Sequence, residues 1–212
     1  MGLAVEVGML SDLIQNDPEG ADWLRDSFSS VNAVLAENKL PPHREPESLP
    51  ALNSRAAILS YPYSFLHHLR RVAAHAAEKP GWVAKPFPDA DDPLADPVVD
   101  KQSANLKSHL LCHSDCEGFY LPIEFDEPIG DDHGRIPGDL LGSSIVLIKE
   151  LVAAAPALGI RLENGHLSDR ETDSLNAEIE AESALWIEKA VWLSLFEAAR
   201  LSIEHKTAVC FA

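Results

Sequence analysis

The stretch NLKSHLLCHSDCEGFYLPIEFD, residues 105–126, combines the clearest strand pattern of the chain with its densest group of reactive side chains. Apolar and polar residues alternate over residues 119–126, which is the period-two pattern of a strand with one buried face. A short apolar run at residues 110–112 precedes a polar tip that ends in Gly118, a residue that tolerates the positive φ of a hairpin loop. The stretch therefore predicts a β-hairpin over residues 106–126.

Pro122 limits where this hairpin can lie in a sheet. Proline has no backbone N–H to donate, so its strand should lie at a sheet edge or turn that position outward. The segment TAVCFA, residues 207–212, also has the composition of a strand. It predicts a further strand beside the hairpin.

The polar tip of the hairpin, residues 114–118, and its neighbours carry side chains that bind metals. Thiolate and imidazole groups together suit zinc. The candidate zinc ligands are Cys112, His113, Asp115, Cys116 and the more distant His133. However, one Cys-x-x-x-Cys pair lacks the second pair of ligands that structural zinc sites usually have.

A thiol enzyme is a second interpretation of the same tip. The thiolate is the nucleophilic form of cysteine, and a neighbouring imidazolium lowers the pKa of the thiol. The candidates for this catalytic chemistry are Cys112, His113, Cys116 and Glu117. In a third interpretation, which we prefer, Cys112 is a small core side chain and the tip is a solvated turn.

The charge of the chain restricts its partners. Among 212 residues, 34 are Asp or Glu and 17 are Lys or Arg, which gives a net charge of -17 and a pI near 4.8. Such a surface repels phosphate backbones and anionic membranes and attracts basic proteins. The sequence therefore predicts a basic protein partner and no direct binding to nucleic acid or to a membrane.

The segments that mark targeting and common catalytic sites are missing from the sequence. There is no signal-peptide pattern and no apolar run near the ~20 residues of a membrane span. With only three cysteines, reduced thiols are expected, so the predicted location is the cytoplasm. Phosphate-binding glycine loops, nucleophile elbows and His-Glu-x-x-His motifs are also missing, which argues against nucleotide hydrolases, serine esterases and standard metalloproteases.

Four segments predict helices. The first begins at a cap, Asp17, carries an apolar stripe that includes Trp23, and ends near Asn38. The other three are predicted over residues 62–78, 138–152 and 168–205, the last starting at a capping box formed by Ser168 and Glu171. In the segment at residues 138–152, the small residues Gly142, Ser143 and Ser144 predict a close approach to the hairpin.

The segment at residues 86–104 is rich in proline and aspartate and predicts a mobile surface loop. Its carboxylates are candidates for contact with a basic partner, together with two from the hairpin tip. These partner-binding candidates are Asp89, Asp91, Asp92, Asp96, Asp115 and Glu117.

The predicted architecture is one α+β domain over residues 1–212. It is rich in helices, which pack against a small antiparallel sheet made of the hairpin at 106–126 and the C-terminal strand. The runs HLLCHSDCEGFYLPIEF, LGSSIVLIKEL and EAARLSIEHKTAVCFA resemble a group of small, uncharacterised bacterial proteins. In general character the chain also resembles the immunity proteins that neutralise bacterial toxins.

Two classes of function follow from these patterns. The first is a non-enzymatic acidic binding protein, immunity-like in character, that contacts a basic protein. The second is a metal-dependent or thiol enzyme centred on the tip from Cys112 to Glu117.

Overall fold

A six-stranded mixed sheet lies at the centre of the protein, whose computed structural model describes residues 2–88 and 92–212. The strands are β1 (Leu3–Val7), β2 (Ser60–Tyr61), β3 (Gly118–Leu121), β4 (Ile129–Gly130), β5 (Leu140–Ser143) and β6 (Val209–Phe211). Their order across the sheet is β2-β1-β6-β3-β5-β4. Strands β3 and β5 are parallel, and the other neighbouring pairs are antiparallel.

The described residues also form eight α-helices. These are α1 (Met9–Asn16), α2 (Pro18–Glu37), α3 (Tyr63–Glu78), α4 (Pro97–Ser103), α5 (His109–Cys112), α6 (Ser144–Ala154), α7 (Asp169–Glu180) and α8 (Trp186–His205). Short 3-10 turns occur at Pro93–Ala95, Pro137–Asp139 and Ala155–Leu158. None of the helices in residues 2–88 and 92–212 combines the length and the apolar character that a membrane crossing requires.

Helices cover both faces of the sheet, so the domain has three layers. Helices α1 and α2 pack on the face that carries Phe119, Leu121 and Cys210. Helices α3, α6 and α8 pack on the opposite face, which carries Tyr120 and Phe211, and α7 packs against α8. This arrangement confirms the predicted α+β class and the high helix content.

The first predicted helix is confirmed as α2. Its cap is Asp17, whose carboxylate accepts a hydrogen bond from the Gly20 N–H at 3.1 Å, and Pro18 occupies the first helical position. The second predicted helix is confirmed as α3, which follows Pro62 directly.

The predicted hairpin at residues 106–126 is wrong. Its first arm is the helix α5, whose cap, Ser108, accepts a hydrogen bond from the Leu111 N–H at 3.1 Å. The carboxylate of Glu150 accepts two more, from the N–H groups of the first two residues of α5, at 2.9 and 2.8 Å. Because Glu150 lies far along the chain from the tip, the local sequence pattern did not reveal this helix.

Strand β3 is a central strand and not an edge strand. It pairs with both β5 and β6, with Phe119 opposite Cys210 of β6, so the predicted strand at the C-terminus is confirmed in position. Helices cover both faces of β3, and Tyr120 is therefore buried as well as its neighbours Phe119 and Leu121. Pro122 follows the last residue of the strand, so its missing N–H leaves no gap in the ladder. The sheet is larger than predicted and is mixed, since β3 and β5 are parallel.

The apolar segment at residues 138–152 is a strand followed by a helix, where one helix was predicted. Strand β5 occupies the first part, and Ser143 then caps α6, since its Oγ accepts a hydrogen bond from the Val146 N–H at 3.2 Å. A continuous apolar run suits a strand covered on both faces as well as a buried helix, so composition did not decide between them. The ring of Tyr120 packs directly over Gly142 of β5, which confirms the predicted close approach.

Replacing Gly142 by Ala is expected to lower the free energy of unfolding by about 1–3 kcal/mol. A Cβ atom at this position would overlap the ring of Tyr120, and both residues are buried. The matched control is Gly130→Ala in the neighbouring strand β4, where the nearest heavy atom to a new Cβ, Leu140 Cδ2, lies 3.9 Å away. Urea denaturation measures both, and equal losses in the two variants would contradict the role of this contact.

The predicted long helix at residues 168–205 is two helices. The backbone of Glu182 and of Leu185 has φ values of 45° and 66°, which belong to the left-handed region and end a right-handed helix. The predicted cap is confirmed, since Ser168 Oγ accepts a hydrogen bond from the Glu171 N–H at 3.2 Å.

The acidic segment at residues 86–104 contains regular structure that its composition did not predict. Helix α4 begins after Asp96, whose carboxylate accepts a hydrogen bond from the Val98 N–H at 2.9 Å. A 3-10 turn capped by Asp92 comes before it. The mobility expected for this segment stays a prediction.

Candidate partner-binding surface

The carboxylate of Asp115 at the polar tip is bound within the protein. It accepts hydrogen bonds from Arg70 and from His67, the latter at 2.9 Å. Arg70 is buried, and its guanidinium also donates to the carbonyl oxygens of Leu110 at 2.8 Å and His113 at 2.5 Å. Although burial opposes ionisation, the His67 hydrogen bond and the Arg70 charge lower the pKa of Asp115 to about 2. Asp115 therefore anchors the tip to α3.

The other reactive side chains of the tip have separate surroundings. His113 is buried and stacks on Tyr120 with the ring centroids 4.1 Å apart, and burial lowers its pKa to about 4. The Cys112 Sγ lies 3.9 Å from the carbonyl oxygen of Ser103, and burial raises the pKa of this thiol. Cys116 is exposed. In the described structure neither of these two cysteines hydrogen-bonds to a histidine, so the predicted thiolate–imidazole pair has no geometric support.

The structure does not bring the five zinc candidates together. Among residues 2–88 and 92–212, no group of three or more His, Cys, Asp or Glu side chains is placed to hold a metal ion. His133 lies in an exposed turn beyond β4, and Asp115 is already paired with Arg70. Glu117 is exposed at the tip.

The acidic loop supplies fewer free carboxylates than predicted. Asp89 and Asp91 lie outside the described residues. Asp92 is exposed, whereas Asp96 is half-buried and forms ion pairs with Arg71 at 3.0 Å and His75 at 2.8 Å. Although burial opposes ionisation, the hydrogen bond from His75 lowers the pKa of Asp96. Asp96 therefore fastens α4 to α3.

The outer side of α2 carries a row of carboxylates around one exposed tryptophan. Glu19, Asp22 and Asp26 are exposed and follow one another at intervals of three and four residues, which places them on the same side of the helix. Trp23 lies among them and is 57% exposed. We call these four residues the acidic face of α2. The opposite side of α2 packs against the sheet.

The acidic face of α2 keeps most of its negative charge. Within the part of the chain that the structure describes, Glu19 and Asp26 form no ion pair, and Asp22 pairs with Arg25 at 2.8 Å. Arg25 also contacts Glu47 at 3.2 Å, so it is shared between two carboxylates. One cation therefore balances only part of the negative charge on this side of the molecule.

The loop after β4 is attached to the C-terminal end of α2. Arg135 donates to Glu37, the last residue of α2, at 2.7 Å and to the buried carboxylate of Asp131 at 2.9 Å. Asp132 and Asp139 in the same loop are exposed. The C-terminal end of α2 is therefore fixed to a loop that carries further carboxylates.

Helix α7 carries a second row of carboxylates on the other side of the sheet. Asp169, Asp173 and Glu180 are exposed and share one side of the helix. Asp169 pairs with Arg55 at 3.0 Å. No large apolar side chain is exposed in α7. This second row therefore differs from the acidic face of α2 in lacking an exposed aromatic ring.

The assignment of Trp23 to the buried stripe of α2 is wrong. Its neighbours at helical spacing are Glu19, four residues before it, and Asp26, three residues after it. The buried stripe instead begins at Ala21 and continues with Leu24 and Phe28. The spacing of Trp23 relative to these two carboxylates was the signal that would have placed it on the outer side.

Comparison with known proteins adds one finding. A model of a protein family described as "Putative DNA-mimic protein" matches residues 1–211. A search of curated proteins and a search of solved structures gave no match. The family match gives no support to the general likeness to immunity proteins. Because the match covers almost the whole chain, the protein belongs to this DNA-mimic family.

Proposed function

We propose that the protein binds the nucleic-acid-binding surface of a basic DNA-binding protein and catalyses no reaction there. The observation that carries this proposal is the row of carboxylates on the acidic face of α2, in a chain of net charge -17 that belongs to the DNA-mimic family. Sites that bind DNA present Lys and Arg side chains to phosphates. Carboxylates form charge-assisted hydrogen bonds with the same cations.

The spacing of the carboxylates along α2 supports a comparison with a phosphate backbone. At a rise of about 1.5 Å per residue, Glu19 and Asp26 lie about 10.5 Å apart along the helix axis, and Asp22 lies between them. One strand of duplex DNA places a phosphate about every 3.4 Å along its axis, so the same length carries about four phosphates. Three carboxylates on a rigid helix therefore approach the charge density of one strand.

The proposed class of partner also indicates where in the cell the protein acts. Bacterial DNA-binding proteins act where the chromosome lies, and three segments of this chain resemble bacterial proteins. We therefore place the action of the protein in the bacterial cytoplasm.

A displacement experiment tests the proposed function. DNA-binding proteins from the source cell are loaded on immobilised DNA at low salt, and the purified protein is added in increasing amounts. We expect it to release a basic protein, which is then purified so that its Kd for the added protein is measured. The Kd should rise with salt, because exposed charges are screened. Release of no protein from any DNA would contradict the proposal.

Neutralising the acidic face of α2 is expected to weaken binding to the released partner by about tenfold to one-hundredfold. The variant carries Glu19→Gln, Asp22→Asn and Asp26→Asn. Each exposed charge pair contributes up to about 1 kcal/mol, and about 1.4 kcal/mol corresponds to tenfold in Kd. Isothermal titration calorimetry at low salt measures the change.

The matched control removes three negative charges from the other side of the sheet. It carries Asp173→Asn, Glu180→Gln and Glu182→Gln, at or just after α7, all exposed and none in an ion pair within the described residues. Both triple variants lose the same net charge. Equal weakening by the two would show that total charge, and not the acidic face of α2, determines binding.

A further inference from the structure

Trp23 is unlike the other tryptophans of the chain. It is 57% exposed, whereas Trp192 is fully buried and Trp82 and Trp186 are partly buried. Trp82 stacks on His75 and Trp186 packs edge-on against Phe65. Trp23 has no aromatic or cationic partner of this kind among the described residues. Its indole ring is therefore available to another molecule.

The ring of Trp23 lies between two carboxylates that have no cationic partner in residues 2–88 and 92–212. Glu19 is four residues before it and Asp26 three residues after it, which is about one helical turn of 5.4 Å in each direction. An exposed aromatic residue in the middle of a charged surface is typical of an energetically dominant contact in a protein interface. The acidic face of α2 thus combines a flat apolar ring with flanking negative charges.

Duplex and single-stranded nucleic acids differ in whether they expose flat rings next to negative charges. A duplex exposes phosphates outside and only the edges of its bases in the grooves, so its ligands contact phosphates and base edges. A single strand exposes the flat faces of its bases beside the phosphates. Proteins that bind single strands use a cationic groove together with aromatic side chains on which the bases stack. A duplex-like surface needs no exposed aromatic ring, whereas a surface that resembles a single strand needs one.

We propose that the acidic face of α2 resembles a single strand, with the indole of Trp23 in place of an unstacked base and Glu19 and Asp26 in place of its flanking phosphates. The partner is then a protein that binds single-stranded nucleic acid, with a cationic groove that contains an aromatic stacking surface. This inference rests on the proposed function and specifies the partner within it. The ring would stack on the partner's aromatic side chain, and the partner's Lys and Arg side chains would contact the carboxylates.

The test compares two immobilised DNAs of equal length, poly(dT) and a duplex. Each is loaded with the DNA-binding proteins of the source cell, and wild-type protein, Trp23→Ala or Trp23→Phe is added. We expect wild-type protein to release a protein from poly(dT), Trp23→Ala to bind that purified protein at least about tenfold more weakly, and Trp23→Phe to keep most of the affinity because it retains a ring. Because Trp23 is exposed, the thermal unfolding midpoints of the variants should match that of the wild type.

The possible outcomes separate this inference from the proposed function. Release from the duplex alone, or binding that Trp23→Ala leaves unchanged, would overturn the single-strand inference and leave the proposed function intact. Release from neither DNA would overturn both. Release from poly(dT) that depends on Trp23, with recovery in Trp23→Phe, supports both.

Discussion

Lowering the pH from neutral towards 4 is expected to remove about 6 kcal/mol from the free energy of unfolding. Two histidines, His109 and His113, are buried, and burial lowers the pKa of each to about 4. In the unfolded chain a histidine has a pKa of about 6.5. Between these two pH values the unfolded chain binds protons that the folded protein does not. The stabilisation is therefore complete above about pH 6.5 and is lost as the pH falls to 4, by about 3 kcal/mol for each histidine.

Burial is the main reason why both rings stay neutral. The Nδ1 atom of His109 accepts a hydrogen bond from the Ser143 N–H at 2.8 Å, which a protonated Nδ1 cannot do. His113 is enclosed by Tyr120 and Phe211, with ring centroids 4.1 and 5.0 Å away. The carbonyl oxygens of Ser114 and Phe119, 3.1 and 3.2 Å from its ring nitrogens, favour the protonated ring, but burial outweighs them and lowers the pKa.

Urea denaturation at a series of pH values measures this loss. The control variant is His133→Gln, which replaces an exposed histidine and should leave the pH dependence unchanged. Since small domains have about 5–15 kcal/mol of stability in total, a loss of about 6 kcal/mol brings the protein close to unfolding. A free energy of unfolding that stays constant between pH 6.5 and 4 would show that the two rings are not neutral and buried as described.

Replacing Arg70 by Met is expected to lower the free energy of unfolding by about 3 kcal/mol or more. The guanidinium is buried and binds the carbonyl oxygens of Leu110 and His113 as well as the carboxylate of Asp115. Methionine fills similar space but leaves these three acceptors without their donor. The expected loss is at the lower end of the range for broken buried ion pairs, because the side chain of Asp115 is 36% exposed and partly reaches water.

The control for Arg70→Met is an exposed ion pair in the same part of the molecule. Lys101 donates to Glu78 at 2.5 Å, and the Lys101 side chain is largely exposed. Lys101→Met should cost less than about 1 kcal/mol. Thermal and urea unfolding of both variants measure the difference. A loss in Arg70→Met no larger than in the control would contradict the anchoring role assigned to Arg70.

The sequence predicted those parts of the fold that depend on local pattern. Helix α2 has a cap at Asp17 and a continuous apolar stripe, and the strand composition of β6 was also sufficient. The hairpin prediction was wrong because a short apolar run such as residues 110–112 suits a strand and a short helix equally well. The carboxylate of Glu150, which binds the first N–H groups of α5, favours the helix. Strand β5 was predicted as a helix for a similar reason, since its pairing with β3 is not visible in a local window of sequence.

The candidate surface was predictable in its charge but not in its position. The net charge of -17 indicated a basic partner. The carboxylates first chosen for it, such as Asp96 and Asp115, turned out to be paired with arginines of α3, because half-buried acids need cations of their own. The carboxylates that we assign to the partner surface lie instead on α2, where the position of Trp23 had been misread.

The place of β6 in the sheet has a consequence for synthesis of the protein. Strand β6 lies between β1 and β3, and it alone joins the pair formed by β1 and β2 to the group formed by β3, β5 and β4. While the chain is emerging from the ribosome, these two parts therefore have no shared strand until residues 209–211 are released. The central sheet therefore closes only after residues 209–211 have been made, and the facing edges of β1 and β3 stay unpaired until then.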